Sequence, residues 1–120
     1  MLILASATDL LQLVTGSAGQ IDVHASWMDN VSGAVGPGRT NTPTITTAGT
    51  TTVVAAPTSG TQRNVKTLHV RNRGSSANVV TVTHTDGTTP VQLQSASLAP
   101  GATLQYVDEI GFLPPLAGLQ

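Results

Sequence analysis

The stretch Ile21-Asp22-Val23-His24-Ala25-Ser26-Trp27-Met28 alternates cleanly between apolar and polar side chains. On an extended chain Ile21, Val23, Ala25 and Trp27 fall on one face, and Asp22, His24 and Ser26 on the other. This is the period-2 pattern of a half-buried strand. Trp27 is one of three aromatic residues, with Tyr106 and Phe112. It reads as an anchor for the core of an aromatic-poor chain. An interface hot spot is the alternative, because Trp is enriched at such positions.

Working outward from that strand, Gly16–Gly19 is a turn and Leu10–Val14 a strand. Residues 1–8 form an edge strand or an extended arm. On the other side, residues 30–42 hold Gly33, Gly36, Pro37 and Gly38 and read as a long exposed Gly/Pro loop. Short strands follow at Thr44–Thr47 and Thr51–Ala56, then a turn at Pro57–Gly60. Asn64–Asn72 is a strand with Leu68 and Val70 inward. Val65 has the opposite parity, which predicts a bulge or twist near the strand start. Gly74–Asn78 turns into a strand at Val79–Thr85, and Asp86-Gly87 sits in a four-residue hairpin loop before Val91–Leu98. Pro100-Gly101 turns into Thr103–Asp108, and Gly111–Leu116 is a short last strand within a proline-stiffened tail, 113–120.

The pattern amounts to seven to nine short strands, spaced as in an antiparallel sandwich or barrel. Composition agrees. Threonine is the commonest residue, valine is frequent, and 12 Gly and 7 Pro punctuate the chain. Thr and Val are stiff at χ1 and pack well on a pleated surface. Good helix formers are few; Lys66 and Glu109 are the single lysine and glutamate. The 120 residues suit one all-β domain, 1–120, with a thin core.

Charged residues are only 9% of the chain and the formal net charge is −1. Self-repulsion therefore adds little to solubility, and an assembled state suits the chain better than a free monomer. A balance so near neutral argues against a general nucleic-acid binder. No apolar run is long enough to span a bilayer, and Met1–Ala7 lacks the basic start of a signal peptide. With no cysteine there is no disulfide, thiolate metal site or Cys nucleophile.

Catalytic signatures are also missing. There is no nucleophile elbow, P-loop or dinucleotide-binding motif. Gly33-Ala34-Val35-Gly36-Pro37-Gly38 is glycine-rich but precedes no helix. His24, His69 and His84 each fall mid-strand and far apart in sequence. A three-histidine zinc site would need three strands to converge, so ordinary strand histidines are the expectation. Asp108-Glu109 are adjacent and read as solvated turn charges. The expectation is a non-enzyme with no catalytic residue, no cofactor, no metal and no small-molecule substrate.

One charge feature stands out. Arg63, Lys66, Arg71 and Arg73 lie within eleven positions, and only Arg39, in the glycine-rich stretch, lies outside them. The acidic residues, Asp9, Asp22, Asp29, Asp86, Asp108 and Glu109, lie elsewhere in the sequence. The five basic residues are either a solvated face or a docking surface for an acidic partner. Arg71 and Arg73 share parity and can project together; Lys66 joins them only if the bulge after Val65 re-aims it.

Ile21–Trp27, Thr52–Pro57, Arg63–Asn72, Val82–Gly87 and Leu98–Tyr106 together resemble a group of small virion proteins of tailed bacteriophages and prophages. The resemblance runs from about residue 8 to 112, and Arg63–Asn72 is its most specific part. It implies a capsid cement or decoration protein with an immunoglobulin-like sandwich. It further implies a homotrimer on the outer surface of the head, bound to the major capsid protein and stabilising the shell. Arg39, Arg63, Lys66, Arg71 and Arg73 are then the expected capsid contacts. The competing expectation is a phage tail or fibre component that binds a host surface glycan, for which exposed aromatics are wanted and few exist.

Overall fold

The computed structural model describes residues 1–116, and these form ten strands and no helix. The strands are β1 (Leu2–Leu4), β2 (Leu10–Thr15), β3 (Ile21–Val31), β4 (Ala34–Ile45), β5 (Gly49–Val54), β6 (Gln62–Asn72), β7 (Asn78–Thr85), β8 (Pro90–Leu98), β9 (Thr103–Val107) and β10 (Gly111–Leu116). Residues 117–120 of the expected tail lie outside the described ones; the tail is strand as far as Leu116. All pairings are antiparallel. Sheet A runs β10-β9-β6-β3-β4, with β1 also on β6, and sheet B runs β5-β2-β7-β8.

Alternation places the core between the sheets. Ile21, Val23 and Ala25 of β3 are buried, as are Leu68 and Val70 of β6 and Leu104 and Tyr106 of β9. Leu11 and Leu13 of β2 and Val80 and Val82 of β7 meet them from sheet B, fully buried. Each Val, Leu or Ile among them contributes roughly 1.5–3 kcal/mol by leaving water. Trp27, in phase with Ala25, is half-buried and packs against this cluster. Phe112 packs on Tyr106 with ring centroids 5.1 Å apart.

One edge of β6 is shared by two strands. β1 pairs with its first half (Leu2 with Val65, Leu4 with Arg63) and β9 with its second (Thr67 with Val107, Arg71 with Thr103). Between them lies a bulge. Ser26 opposes Thr67 while Trp27 opposes Val65, so Lys66 is the extra residue. This is the bulge that the parity of Val65 requires. It lets Val65 and Leu68 both face the core, each essentially unexposed.

Two expectations need correction. Residues 1–8 are not a free arm: Leu2–Leu4 is a paired strand, and Leu4 is fully buried in the core. Nor are residues 30–42 a loop. The chain turns in two residues, Ser32 and Gly33, and returns as the twelve-residue β4. Ser32 and Gly33 have φ of 49° and 86°, the left-handed pair that a tight hairpin turn uses. The glycines and prolines are tolerated because β4 is the edge of sheet A, where half the backbone donors need no strand partner. Pro43 falls within a register shift, where Ile21 pairs with Ile45 but Val23 with Thr42. Gly38 opposes Trp27, and a Cβ there would lie 2.4 Å from the indole Nε1. The glycine makes room for the ring.

Burial fades along this hairpin. Beyond Asp29 its residues are largely exposed, with Val31 47% and Val35 60% accessible. The molecule is correspondingly long, 45 × 28 × 21 Å.

Candidate functional site

The segment Arg63–Arg73 does not present one continuous basic patch, because β6 and its bulge aim the four cations differently. Arg63 lies on the inward side. Its guanidinium grips Asp29 of β3 with two hydrogen bonds, 2.9 and 3.1 Å, and donates to the Ala55 carbonyl at 2.9 Å. It also lies 4.4 Å over the Trp27 ring, a cation–π contact. Lys66, thrown out by the bulge, pairs with Asp108 at 3.0 Å. Its ammonium holds the Asp108 carboxyl below the usual carboxylate value.

Arg71 and Arg73 do share a side, the outer face of sheet A, as their parity requires. Arg73 is already engaged there. It donates to Asp22 at 2.7 Å, to Gln20 at 3.1 Å and to the Thr44 hydroxyl at 3.1 Å. The Thr44 hydroxyl donates to the other Asp22 oxygen at 2.7 Å. That hydrogen bond foremost, with Arg73 behind it, lowers the Asp22 pKa. The acidic residues that lie elsewhere in sequence are thus the spatial partners of the basic segment. Asp22, Asp29 and Asp108 each take one of its cations. Arg39 and Arg71 remain. Both are exposed, and neither makes an ion pair or side-chain hydrogen bond among the described residues.

Arg39 faces the same side as Arg71. It opposes Ser26 on β3, and Ser26 alternates with Asp22 and His24 on the outer face. Between the two arginines a polar row crosses four strands. Asn41 of β4, His24 of β3, His69 of β6 and Gln105 of β9 are consecutive cross-strand partners. His24 Nδ1 contacts Asn41 Oδ1 at 2.6 Å, and His69 Nε2 contacts the Gln105 amide. The next row holds Ser26 and Thr67, whose hydroxyls are 2.6 Å apart. A shallow groove on this face is lined by Asp22, His24, Asn41, Thr42, His69 and Arg71.

The third histidine is elsewhere. His84 belongs to β7 of sheet B, its Nε2 3.8 Å from Asp9. Among the described residues, no group of three or more His, Cys, Asp or Glu could hold a metal ion. Glu109 is exposed in the turn between β9 and β10, as a solvated charge would be.

Sequence singled out His24 and His69 only as separate strand histidines, and it missed Asn41, Gln105 and the row that the four form. The outward parity of His24 and His69 is legible, but their adjacency depends on the register of β3 against β6, which no local pattern reports. No protein-family model, no curated protein and no solved structure matches this chain.

Proposed function

We propose that the chain is a structural virion protein, a cement protein that trimerises on the outside of a tailed-phage head and binds the major capsid protein. In this reading its two sheets form an immunoglobulin-like sandwich. The resemblance of Arg63–Asn72 and its companion segments to small phage virion proteins motivates the proposal. The structural observation that carries it is the β3–β4 hairpin. A sandwich with a thin core extends two strands to a tip where Val31 and Val35 stand exposed. Such a limb costs apolar exposure in a free subunit and is useful where it lies against a neighbour. A protein that binds only the assembled shell stabilises it by mass action, and no catalytic group is required.

The glycan-binding alternative is weaker on the same structural grounds. Sugar sites want an exposed aromatic platform. Tyr106 is buried, Phe112 packs on it, and Trp27 is covered by Arg63 and flanked by Gly38. Gold-labelled antibody against the chain tests the reading on virions of the phage that encodes it. Label over the whole head is the expected outcome, and label confined to the tail overturns it. Sedimentation of the isolated protein at micromolar concentration should give a trimer. A strict monomer would confine trimerisation to the shell.

A further inference from the structure

We propose that the outer face of sheet A, from Arg39 to Arg71, is the docking surface, and that it takes a carboxylate-bearing protein segment. The inference takes its partner, a protein shell, from the reading above, but the assignment of the face follows from how charge is distributed in the fold.

Internal ion pairs neutralise most of the cations. Arg63 is closed off by Asp29 and Ala55 on the inward side, and Lys66 by Asp108 at the bulge. Apart from the Lys66–Asp108 pair at the bulge, the outer face carries three guanidinium groups, Arg39, Arg71 and Arg73, against the carboxylate of Asp22. Asp22 is already held by Arg73 and Thr44, so its capacity to satisfy Arg71 is largely used. Two exposed guanidinium groups therefore keep their full sets of donors. Planar guanidinium suits carboxylate, which it can bind through two parallel hydrogen bonds.

The groups between the arginines fit the same partner. His24, His69, Asn41 and Gln105 form a flat hydrogen-bonding row rather than an apolar patch. The uncommitted acids, Asp86 and Glu109, lie in turns away from this face. Glu109 follows the end of β9 that pairs with Thr67, and Asp86 caps the β7–β8 loop of sheet B. Positive charge therefore outweighs negative on this face.

A nucleic acid would also meet positive charge, but it is the poorer occupant. Single strands want aromatic side chains on which bases stack. All three aromatics of this chain belong to the core side. A duplex wants many phosphate contacts, and two free arginines supply few.

The test uses immobilised poly-L-glutamate and a duplex DNA of matched charge as probes. Wild type should be retained on polyglutamate at low salt and released by about 0.3 M salt, where screening shortens to a few ångströms. R39E/R71E should bind roughly tenfold more weakly, since two exposed contacts are replaced by repulsion. K66Q/D108N, which removes a paired cation and anion and leaves the net charge unchanged, should bind like wild type. R39Q/R71Q keeps the experiment informative if charge reversal impairs folding. Equal retention of wild type and R39E/R71E overturns the proposal, as does no retention of wild type or tighter binding to DNA. Decoration of undecorated phage heads separates the two readings. If wild type and R39E/R71E both decorate equally, the virion role stands and this face is wrong. If neither decorates while polyglutamate discriminates them, the face stands and the virion role is wrong.

Discussion

Asn72 ends β6 with almost no exposure, and every polar group it has is used. Its amide donates to the carbonyls of Ser76 and Leu98 at 2.8 and 2.9 Å, and its side-chain oxygen accepts from Gly74 at 2.9 Å. Its backbone bonds Ala102 and Gly101. One side chain thus fastens the end of sheet A to β8 of sheet B and shapes the turn after β6. Asn78 does a smaller version of this, bonding both N–H and C=O of Ser17. Replacing Asn72 by Leu keeps the branched shape but strands two carbonyls and one N–H. We expect a loss of about 2–4 kcal/mol in urea unfolding, since each orphaned buried group costs roughly 1–3 kcal/mol. A loss under 1 kcal/mol would show that water replaces the amide. Neither asparagine is conspicuous in sequence, because each borders the Arg73–Ala77 turn, where Asn is ordinary. The same blindness applies to the ion pairs. Arg63–Asp29, Lys66–Asp108 and Arg73–Asp22 join residues 34, 42 and 51 positions apart. A one-dimensional charge map shows a basic segment where the fold has neutral pairs.

At the scale of elements, strands with strict alternation were legible and the edge was not. Ile21–Met28 and Asn64–Asn72 read as strands because one face of each must leave water, and the parity slip at Val65 even announces the Lys66 bulge. β4 was hidden because its Gly36, Pro37, Gly38 and Pro43 carry the composition of a loop. Edge position removes the usual objection to them. β1 was ambiguous for another reason: three residues are too few for a period, and only contact with β6 decides their state. The hairpin's tip depends on its turn. Gly33 at φ 86° has open space around it, so an added methyl meets strain rather than a clash. Ser32 already sits at φ 49°, where Asn is better tolerated. Gly33→Ala should therefore lower, and Ser32→Asn raise, the protection of amides from Asn30 to Gly36 against hydrogen exchange. The change should be about 1 kcal/mol in local opening, with core amides of β2 and β7 unaffected. Equal protection in all three proteins would mean that the tip is held by something other than its turn.

For the whole molecule, the scarcity of charge makes each carboxylate count. Four aspartates have pKa values lowered in the fold from the usual 3.8, each for its own reason. Asp9 accepts the Ala5 N–H at 2.7 Å and the Ser6 hydroxyl at 2.8 Å, with His84 beside it. Asp22 is held by Thr44 and Arg73, and Asp108 by Lys66. Asp86 accepts the backbone N–H groups of Thr89 and Thr88 in the β7–β8 loop. A carboxyl whose pKa is lower folded than unfolded binds its proton more readily in the unfolded chain. Its stabilisation is fully present above 3.8 and disappears as pH falls through the folded value. Unfolding should therefore show little pH dependence from carboxylates between about pH 5 and 7, and a steep loss below about pH 4. Asp9 is the most telling of the four, being only 8% exposed and tying the turn after β1 to the core. Asp9→Asn removes the charge but keeps one oxygen to accept a hydrogen bond. It should be less stable than wild type at pH 7, and the gap should narrow as pH falls from 4 toward 2 because wild type loses what the variant never had. Urea midpoints for both proteins across that range measure it. A gap that stays constant with pH would mean that the Asp9 carboxylate is no more stabilised in the fold than in the unfolded chain.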